Sequence, residues 1–202
     1  MVRTQLRSRD IRDERVLDAM GEVPRHEFLP PPLRYAAYQD RALPVGEDET
    51  LSQPYIVALT CQALELRAGA HVLDVGSGTG YQAAVLARMG CVVWAVELDP
   101  ELAATSQARL ARLGCKDIEV RAGDGTLGWG EHAPFDAVAV AAAAPDVPPA
   151  LLRQMRDGGR LVAPLGDVND QVLVKVMRTG DGYGRVHLTA VKFVPLKFPG
   201  RD

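Results

Sequence analysis

The stretch Val72-Leu73-Asp74-Val75-Gly76-Ser77-Gly78-Thr79-Gly80-Tyr81 decides the fold of this 202-residue chain. Its apolar start predicts a buried strand, its glycines predict a tight turn, and the following residues predict a helix over Gln82–Met89. A strand, a glycine turn and a helix in this order are typical of a βαβ unit that binds a nucleotide-like ligand at the turn. We expect the three glycines to let the backbone bend and come close to that ligand.

Two carboxylates flank this unit at positions suited to ligand binding. Asp74 lies just before the turn, and Glu97 follows the next apolar strand, Cys91–Val96. In a βαβ unit an acidic side chain about twenty residues beyond the glycines accepts hydrogen bonds from ribose hydroxyls. The pattern therefore predicts a cofactor that contains an adenosine-type ribose.

The glycine spacing narrows the choice of cofactor. A dinucleotide fingerprint has G-x-G-x-x-G and a phosphate loop has G-x-x-x-x-G-K-[ST], whereas this chain has Gly76-x-Gly78-x-Gly80. An acidic residue two positions before the first glycine suits a cofactor without phosphates, because no anion would repel it. S-adenosylmethionine fits, since it has a ribose diol for Glu97 and an α-ammonium group near Asp74. The alternative is a tight turn that binds nothing.

A second candidate contact lies at the end of the third predicted strand of the α/β region. Gly123-Asp124-Gly125 follows residues 118–121, and an acidic side chain there can accept a hydrogen bond from an adenine amino group. Taken alone, the motif is an ordinary Asp-Gly turn. Its predicted place at the carboxyl edge of the sheet, where open α/β sheets bind ligands, favours a ligand contact.

Strands and helices alternate from residue 70 onward. Short apolar runs predict parallel strands covered on both faces, and an alternating segment around Gly180-Asp181-Gly182 predicts an antiparallel hairpin. The expected strands are 71–75, 91–96, 118–121, 135–140, 160–165, 171–177 and 187–194, and the expected helices are 81–89, 100–113 and 147–156. We therefore expect an α/β fold with a doubly wound, mostly parallel, Rossmann-like sheet of seven strands and a C-terminal antiparallel hairpin.

Composition favours a single domain over residues 1–202. The chain is 47% hydrophobic with a net charge of −3, which suits one domain with a substantial core. We expect a helical, substrate-side subregion over 1–66, whose helices end at the prolines 30–32, and a cofactor-binding α/β core over 67–202. Mixed charges over residues 3–15 predict a solvated helix face, and the slightly acidic balance argues against nucleic-acid binding. No apolar run reaches the roughly 18 residues of a membrane helix.

Cysteine and histidine patterns point to neither disulfides nor metals. The cysteines at 61, 91 and 115 have no C-x-x-C spacing, and the histidines at 26, 71, 132 and 187 have no metal-ligand spacing. An odd cysteine count without a signal peptide favours a reducing cytoplasm. We expect a cytoplasmic monomer, because no long exposed apolar face is evident.

Several segments resemble one family. Residues 42–57 read A-L-P-V-G-E-D-E-T-L-S-Q-P-Y-I-V, which resembles the hallmark L-P-I-G-x-G-Q-T-I-S-Q-P of the protein-L-isoaspartate O-methyltransferases. Residues 23–28 resemble the family's V-P-R-x-x-F, and residues 72–90 resemble its glycine loop. Further similar segments follow in the family's order at 131–136, 142–145, 158–162 and 193–196. The resemblance covers residues 10–197, which is nearly the whole chain.

The resemblance implies a protein-L-isoaspartate (D-aspartate) O-methyltransferase. Such an enzyme methylates the free α-carboxylate of L-isoaspartyl residues in damaged proteins and peptides, and S-adenosyl-L-homocysteine is its second product. The resemblance makes Ser52 the catalytic serine. The implied cofactor contacts are Thr50, Leu51, Asp74, Gly76, Ser77, Gly78, Gly80, Tyr81, Glu97, Leu98, Asp124 and Gly125. The implied substrate contacts are Ser52, Ala143, Ala144, Pro145, Val194, Pro195 and Leu196.

Ser52 has a second interpretation, and the chain departs from the family pattern at three places. Ser52-Gln53-Pro54 is also a helix N-cap followed by proline in the first turn, and both roles are compatible. Asp48-Glu49 replace the family's glycine-glutamine pair, and two acids near the substrate should disfavour an anionic peptide. Residues 138–141 lack the threonine that many relatives carry, and Asp74 replaces a glutamate.

Two other functions compete with repair methylation. A related methyltransferase would esterify normal aspartate in a specific partner peptide, but such relatives carry an extra C-terminal region, and this chain ends shortly after Leu196. A non-catalytic module would bind the cofactor or a partner without methyl transfer. The intact glycine loop and Ser52 argue against it.

Overall fold

The computed structural model describes residues 1–46 and 49–197. The described residues form five α-helices and nine strands, joined by short turns of 3₁₀ or π type. The helices are α1 (Glu14–Glu22), α2 (Pro54–Ala63), α3 (Tyr81–Arg88), α4 (Pro100–Arg112) and α5 (Pro149–Arg153). The strands are β1 (Leu43–Gly46), β2 (Glu49–Leu51), β3 (His71–Val75), β4 (Val92–Glu97), β5 (Ile118–Ala122), β6 (Phe135–Val140), β7 (Met155–Gly166), β8 (Gln171–Thr179) and β9 (Gly182–Val191). The short turns are Val2–Leu6, Arg25–Phe28, Pro31–Ala36, Gly125–Leu127 and Gly130–His132.

Seven strands form one sheet in the order β5-β4-β3-β6-β7-β8-β9. The first five strands in this order run parallel to one another, and β8 and β9 are each antiparallel to the strand before them. From β3 the chain adds β4 and β5 on one side, and it then returns to add β6 on the other side of β3. The order of the strands therefore reverses between β3 and β6. Open α/β sheets bind ligands at such a switch point, outside the carboxyl ends of the strands. The predicted fold class is confirmed.

The sheet buries apolar side chains on both faces. Successive side chains of a strand point to opposite faces, so Val72 joins one core and its neighbour Leu73 joins the other. The first core also contains Val57 of α2, and the second contains Leu151 of α5. Because both faces are covered, β3 and β6 consist of nearly continuous apolar residues.

Several predicted boundaries in the C-terminal half were wrong. The helix expected over 147–156 is only Pro149–Arg153, because β7 already begins at Met155. That strand continues through an irregularity in its pairing with β6, so it is much longer than the expected 160–165. The last strand is Gly182–Val191, whereas 187–194 was expected. Residues 192–197 leave the sheet instead.

The N-terminal region also differs from the expectation in three respects. The prolines at 30–32 were expected to end a helical region, but a 3₁₀ helix begins at Pro31, because proline's fixed φ suits a first helical turn. The charged residues of 7–13 precede α1 and form surface ion pairs there, so most of them do not lie on a helix face. The separate antiparallel pair β1–β2 was not predicted, since its strands are only four and three residues long.

Candidate active site

A cavity opens at the carboxyl edge of the sheet, at the switch point between β3 and β6. Four segments supply most of its lining: the serine segment (residues 49–52), the glycine loop (residues 76–81), the end of β4, and the C-terminal segment (residues 194–197). In the sequence the lining residues lie up to 148 positions apart, from Glu49 to Lys197, and the topology brings them together because β3, β4 and β6 are adjacent.

Backbone hydrogen bonds hold the glycine loop against the end of β4. Gly76 and Gly78 have φ angles of +71° and +53°, which glycine adopts without strain. The amides of Gly76 and Ser77 donate to the Val96 carbonyl at 2.9 and 3.2 Å. The Ser77 hydroxyl is buried beside the cavity and has no hydrogen-bond partner within the described part of the chain. A bound ligand can supply that partner.

Glu97 both lines the cavity and anchors the glycine loop. Its Oε2 accepts from the Gly78 amide at 2.8 Å, and its Oε1 accepts from the Asp99 amide at 3.1 Å. The side chain is 5% exposed, so its orientation is fixed. A carboxylate has about four lone-pair sites, which leaves acceptor capacity for ribose hydroxyls.

Asp74 lies behind the cavity wall. It is fully buried, and burial raises the pKa of its carboxyl group to about 7. Its Oδ1 accepts from Gln82 Nε2 at 2.7 Å, and Oδ2 has no partner among the described residues. Gln82 itself lines the cavity. Asp74 is therefore connected to the cavity through Gln82, a residue that sequence reasoning missed. A direct contact between Asp74 and the cofactor stays a prediction.

The segment after β5 approaches the cavity through Gly125. A Cβ atom there would lie 2.6 Å from Val75 Cγ1, so a side chain would displace the strand that leads into the glycine loop. Asp124 accepts from the Thr126 amide at 2.9 Å and from its hydroxyl at 2.7 Å. The Asp-Gly turn expected as the alternative is therefore present, and the adenine contact of Asp124 stays a prediction.

Ser52 lies in the cavity wall just before α2. The N-cap of α2 is Gln53, which makes no side-chain capping bond, and Pro54 takes the first helical position. The interpretation of Ser52 as the N-cap was therefore wrong, whereas proline in the first turn is confirmed. The Ser52 carbonyl accepts from Arg25 Nη2 at 2.7 Å, which fixes the backbone that carries the hydroxyl.

The C-terminal segment returns to the sheet edge beside the loop that follows β6. The Ala143 amide donates to the Val194 carbonyl at 2.8 Å, and the Leu196 amide donates to the Ala143 carbonyl at 2.7 Å. The Gln171 side chain holds Phe193 from both sides, accepting from its amide at 2.7 Å and donating to its carbonyl at 3.2 Å. These bonds place Val194, Pro195 and Leu196 in the cavity wall.

Most of the predicted site residues line the cavity. Those that do are Thr50, Leu51, Ser52, Gly76, Ser77, Gly78, Tyr81, Glu97, Leu98, Gly125, Val194, Pro195 and Leu196. Those that lie outside its lining are Asp74, Gly80, Asp124, Ala143, Ala144 and Pro145. Gly80 is buried where a Cβ atom would lie 2.5 Å from Ser106 Oγ, and Ala143 and Ala144 are buried and pair through their backbones. Pro145 is exposed.

Sequence reasoning missed several lining residues, chiefly Gln82, Thr79, Ala141 and Ala142. Gln82 carried a usable signal, because it is the first polar side chain of the helix after the glycines. Of the acid pair that departs from the family pattern, Glu49 lines the cavity and Asp48 lies outside the described residues.

The donor set suits a cationic cofactor without phosphates. The carboxyl groups of Glu49 and Glu97 line the cavity and that of Asp74 lies behind its wall, whereas Lys197 is the one basic residue in the lining among the described residues. A phosphate-bearing cofactor would meet carboxylates there, whereas a sulfonium and an ammonium group would be attracted. In the described ranges, no group of three histidine, cysteine, aspartate or glutamate residues is placed to hold a metal ion.

A family model places the chain among known proteins. The model of the protein-L-isoaspartate(D-aspartate) O-methyltransferases matches residues 1–198. The chain belongs to this family. The resemblance inferred from the sequence, the enzyme class and the S-adenosylmethionine cofactor that the family uses are thereby confirmed.

Individual relatives agree with this assignment. A protein-L-isoaspartate O-methyltransferase 2 of Anaeromyxobacter sp. is 50% identical over 201 residues, which are 99% of this chain and 83% of that protein. A protein-L-isoaspartate O-methyltransferase of Gloeobacter violaceus is 47% identical over 197 residues, which are 97% of this chain and 96% of that protein.

Solved structures share the fold. A protein-L-isoaspartate O-methyltransferase structure, 28% identical, superposes with a TM-score of 0.87 over 95% of this chain and 63% of that one. A Plasmodium falciparum protein in complex with S-adenosyl-L-homocysteine is 24% identical, with a TM-score of 0.79 over 95% of this chain and 94% of that one. Within the described ranges, no helix is long and apolar enough to cross a membrane.

Proposed function

We propose that this chain transfers the methyl group of S-adenosylmethionine to the free α-carboxylate of L-isoaspartyl residues in damaged proteins and peptides. One observation carries the proposal. In a member of this family, the serine segment and the C-terminal segment meet the glycine loop in a single cavity. A donor held by the loop and an acceptor held by the other two segments would therefore be in contact.

Glycine-loop residues and Glu97 would hold the methyl donor. Glu97 would accept from the ribose hydroxyls, and Ser77 would use its hydroxyl, which has no partner within residues 1–46 and 49–197. Gly125, with Asp124 behind it, would line the adenine side. When bound, S-adenosylmethionine supplies a methyl group on a positively charged sulfur.

The serine segment would orient the acceptor. The α-carboxylate of an isoaspartyl residue is already ionised at neutral pH, so the chain needs no general base. The Ser52 hydroxyl would donate a hydrogen bond to one carboxylate oxygen and leave the other directed at the methyl donor. Val194, Pro195 and Leu196 would hold the peptide and exclude water. The chain's contribution is therefore alignment in a sheltered site, which can lower the barrier by several kcal/mol.

The methyl ester product accounts for repair. An ester at this position closes spontaneously to a succinimide, because the neighbouring backbone amide attacks it and methanol leaves. Hydrolysis of the succinimide then restores some normal aspartate, and the isoaspartyl remainder can be methylated again.

We further propose that the chain acts on proteins and peptides, and not on nucleic acid or membranes, as a one-domain monomer in the cytoplasm. The net charge of −3 supports the first point. Among the described residues only six large apolar side chains are exposed, and they belong to four separate segments, which supports the monomer. Cys61, Cys91 and Cys115 are all free thiols, which suits a reducing compartment.

A pair of peptides tests the proposed function. The purified protein is incubated with radiolabelled S-adenosylmethionine and two peptides that differ only in one isoaspartyl or aspartyl residue. We expect base-labile methyl ester on the isoaspartyl peptide alone. Ester on the aspartyl peptide alone would support the partner-modifying alternative, and ester on neither, with the cofactor still bound, would support a binding role.

The role of Ser52 is tested separately with Ser52→Ala. We expect the affinity for S-adenosyl-L-homocysteine to stay within about twofold and the turnover of the isoaspartyl peptide to fall by about 100-fold, the loss typical of a misaligned reactant. Ser8→Ala removes a hydroxyl from an exposed turn and is the matched control. If Ser52→Ala turned over at the wild-type rate, the Ser52 hydroxyl would have no role in methyl transfer.

A further inference from the structure

Arg25 is a buried cation with no ion-pair partner among the residues that the structure describes. Its side chain is 0% exposed, and it is the largest side chain among those fully buried in the described residues. The salt bridges found between described residues do not include it, and burial lowers the pKa of its guanidinium group. A buried charge is costly unless its surroundings compensate it, so the contacts of Arg25 need an explanation.

Those contacts join three separate segments. Nε donates to the Ala37 carbonyl at 2.7 Å, and Nη2 donates to the Ser52 carbonyl at 2.7 Å. The guanidinium carbon lies 4.7 Å from the centre of the Tyr81 ring, a cation–π distance. Tyr81 is the last residue of the glycine loop and the first of α3, and it packs edge-on against Phe28 at 5.3 Å.

Two of these partners line the cavity. Ser52 belongs to the acceptor side, and Tyr81 belongs to the cofactor side. Because the guanidinium fork is planar and rigid, it fixes the Ser52 carbonyl at a set distance from the first turn of α3. The Ser52 hydroxyl is attached to the same residue, so its position relative to the glycine loop depends on that fork.

We propose that Arg25 is a positioning residue for methyl transfer, which sets the Ser52 hydroxyl against the cofactor loop. The inference rests on the proposed function, because it assigns Arg25 an action only through Ser52. Lysine at this position would keep the charge but would present a single ammonium group in place of the fork. It could not bond the carbonyls of Ala37 and Ser52 in the same geometry while covering Tyr81.

A double-mutant cycle tests this inference. Turnover number, KM for the isoaspartyl peptide and Kd for S-adenosyl-L-homocysteine are measured for wild type, Arg25→Lys, Ser52→Ala and the double variant. We expect Arg25→Lys to lower the turnover number by about 10- to 100-fold, the cost typical of displacing an aligned group, and to change cofactor Kd less than about threefold. In the Ser52→Ala background the same substitution should change turnover less than about twofold, because the hydroxyl it positions is gone.

Arg178→Lys is the matched control. Arg178 also donates to a backbone carbonyl, that of Met155 at 2.6 Å, but it lies in the C-terminal hairpin, away from the cavity. Its substitution should leave turnover unchanged. The melting temperature of each variant is measured in parallel, so that every assay is run at a temperature at which that variant is folded.

Three outcomes would overturn the inference. An equal loss from Arg25→Lys in both backgrounds would mean that Arg25 does not act through Ser52. Wild-type turnover in Arg25→Lys would mean that the fork is not needed. If Ser52→Ala turned over as fast as the wild type, its hydroxyl would have no catalytic role for Arg25 to support. Ester formation by the wild-type protein would in that case still support the proposed function.

Discussion

Replacing Glu97 by glutamine changes one oxygen of a buried carboxylate into an amide nitrogen and removes its charge. In the structure both oxygens already accept backbone hydrogen bonds, from Gly78 at 2.8 Å and from Asp99 at 3.1 Å. The new amide group cannot accept from either backbone amide. Glutamine must therefore give up one of these bonds, and it offers the ribose hydroxyls a weaker, neutral acceptor.

The expected loss of cofactor affinity follows from these bonds. Hydrogen bonds to charged groups contribute about 1.5–3 kcal/mol each. Because Glu97 is only 5% exposed, solvent screens its carboxylate little. We therefore expect the binding free energy of the cofactor to weaken by about 2–4 kcal/mol, which raises Kd by roughly 30- to 1000-fold. Isothermal titration calorimetry with S-adenosyl-L-homocysteine, which undergoes no methyl transfer, measures it directly.

Glu119→Gln is the control for this measurement. It makes the same chemical change on the neighbouring strand β5, where the side chain is exposed. Its Kd should equal that of the wild type. If Glu97→Gln also binds within about threefold of the wild type while its melting temperature is unchanged, Glu97 holds neither the ribose nor the glycine loop, and the reasoning fails.

Two other substitutions test the scaffold of the site. Burial raises the pKa of Asp74 to about 7 from its ordinary 3.8, so its carboxylate costs the folded state up to roughly 4 kcal/mol, a cost that grows as the pH rises from about 4 through 7. Asp74→Asn should therefore melt several degrees above the wild type at pH 8 and close to it at pH 4, whereas an equal difference at both values would contradict the assignment. Gln171→Ala removes both side-chain bonds to Phe193, which should raise KM for the isoaspartyl peptide by about 10-fold, with cofactor Kd unchanged. Unchanged KM would show that the C-terminal segment holds its position without Gln171.

The sequence was sufficient for the sheet because its signals are local. Short apolar runs, a glycine turn and a carboxylate at the end of the next strand predict β3, α3 and β4 with errors of one residue. Of the long strand β7 only the part from residue 160 onward was predicted, because the glycine pair at 158–159 interrupts its apolar pattern inside an irregular stretch of pairing with β6.

The candidate site was only partly predictable for a different reason. Ser52, Glu97 and the glycine loop lie in recognisable motifs, so they were found. The buried links between motifs join residues far apart in the chain, as in the bond from Arg25 to Ser52 and the clamp from Gln171 to Phe193. No periodicity or spacing encodes such a contact, because it exists only once the chain has folded.

The fate of an isoaspartyl peptide tests the account most directly. The peptide is incubated with the protein and excess S-adenosylmethionine through many turnovers, and the isoaspartyl, succinimide and aspartyl forms are separated by chromatography. The account predicts that the isoaspartyl form declines, the succinimide appears transiently and the aspartyl form accumulates, with no conversion in the absence of the cofactor. An isoaspartyl peptide that remains unchanged, in the presence of a folded protein that binds the cofactor, would contradict it.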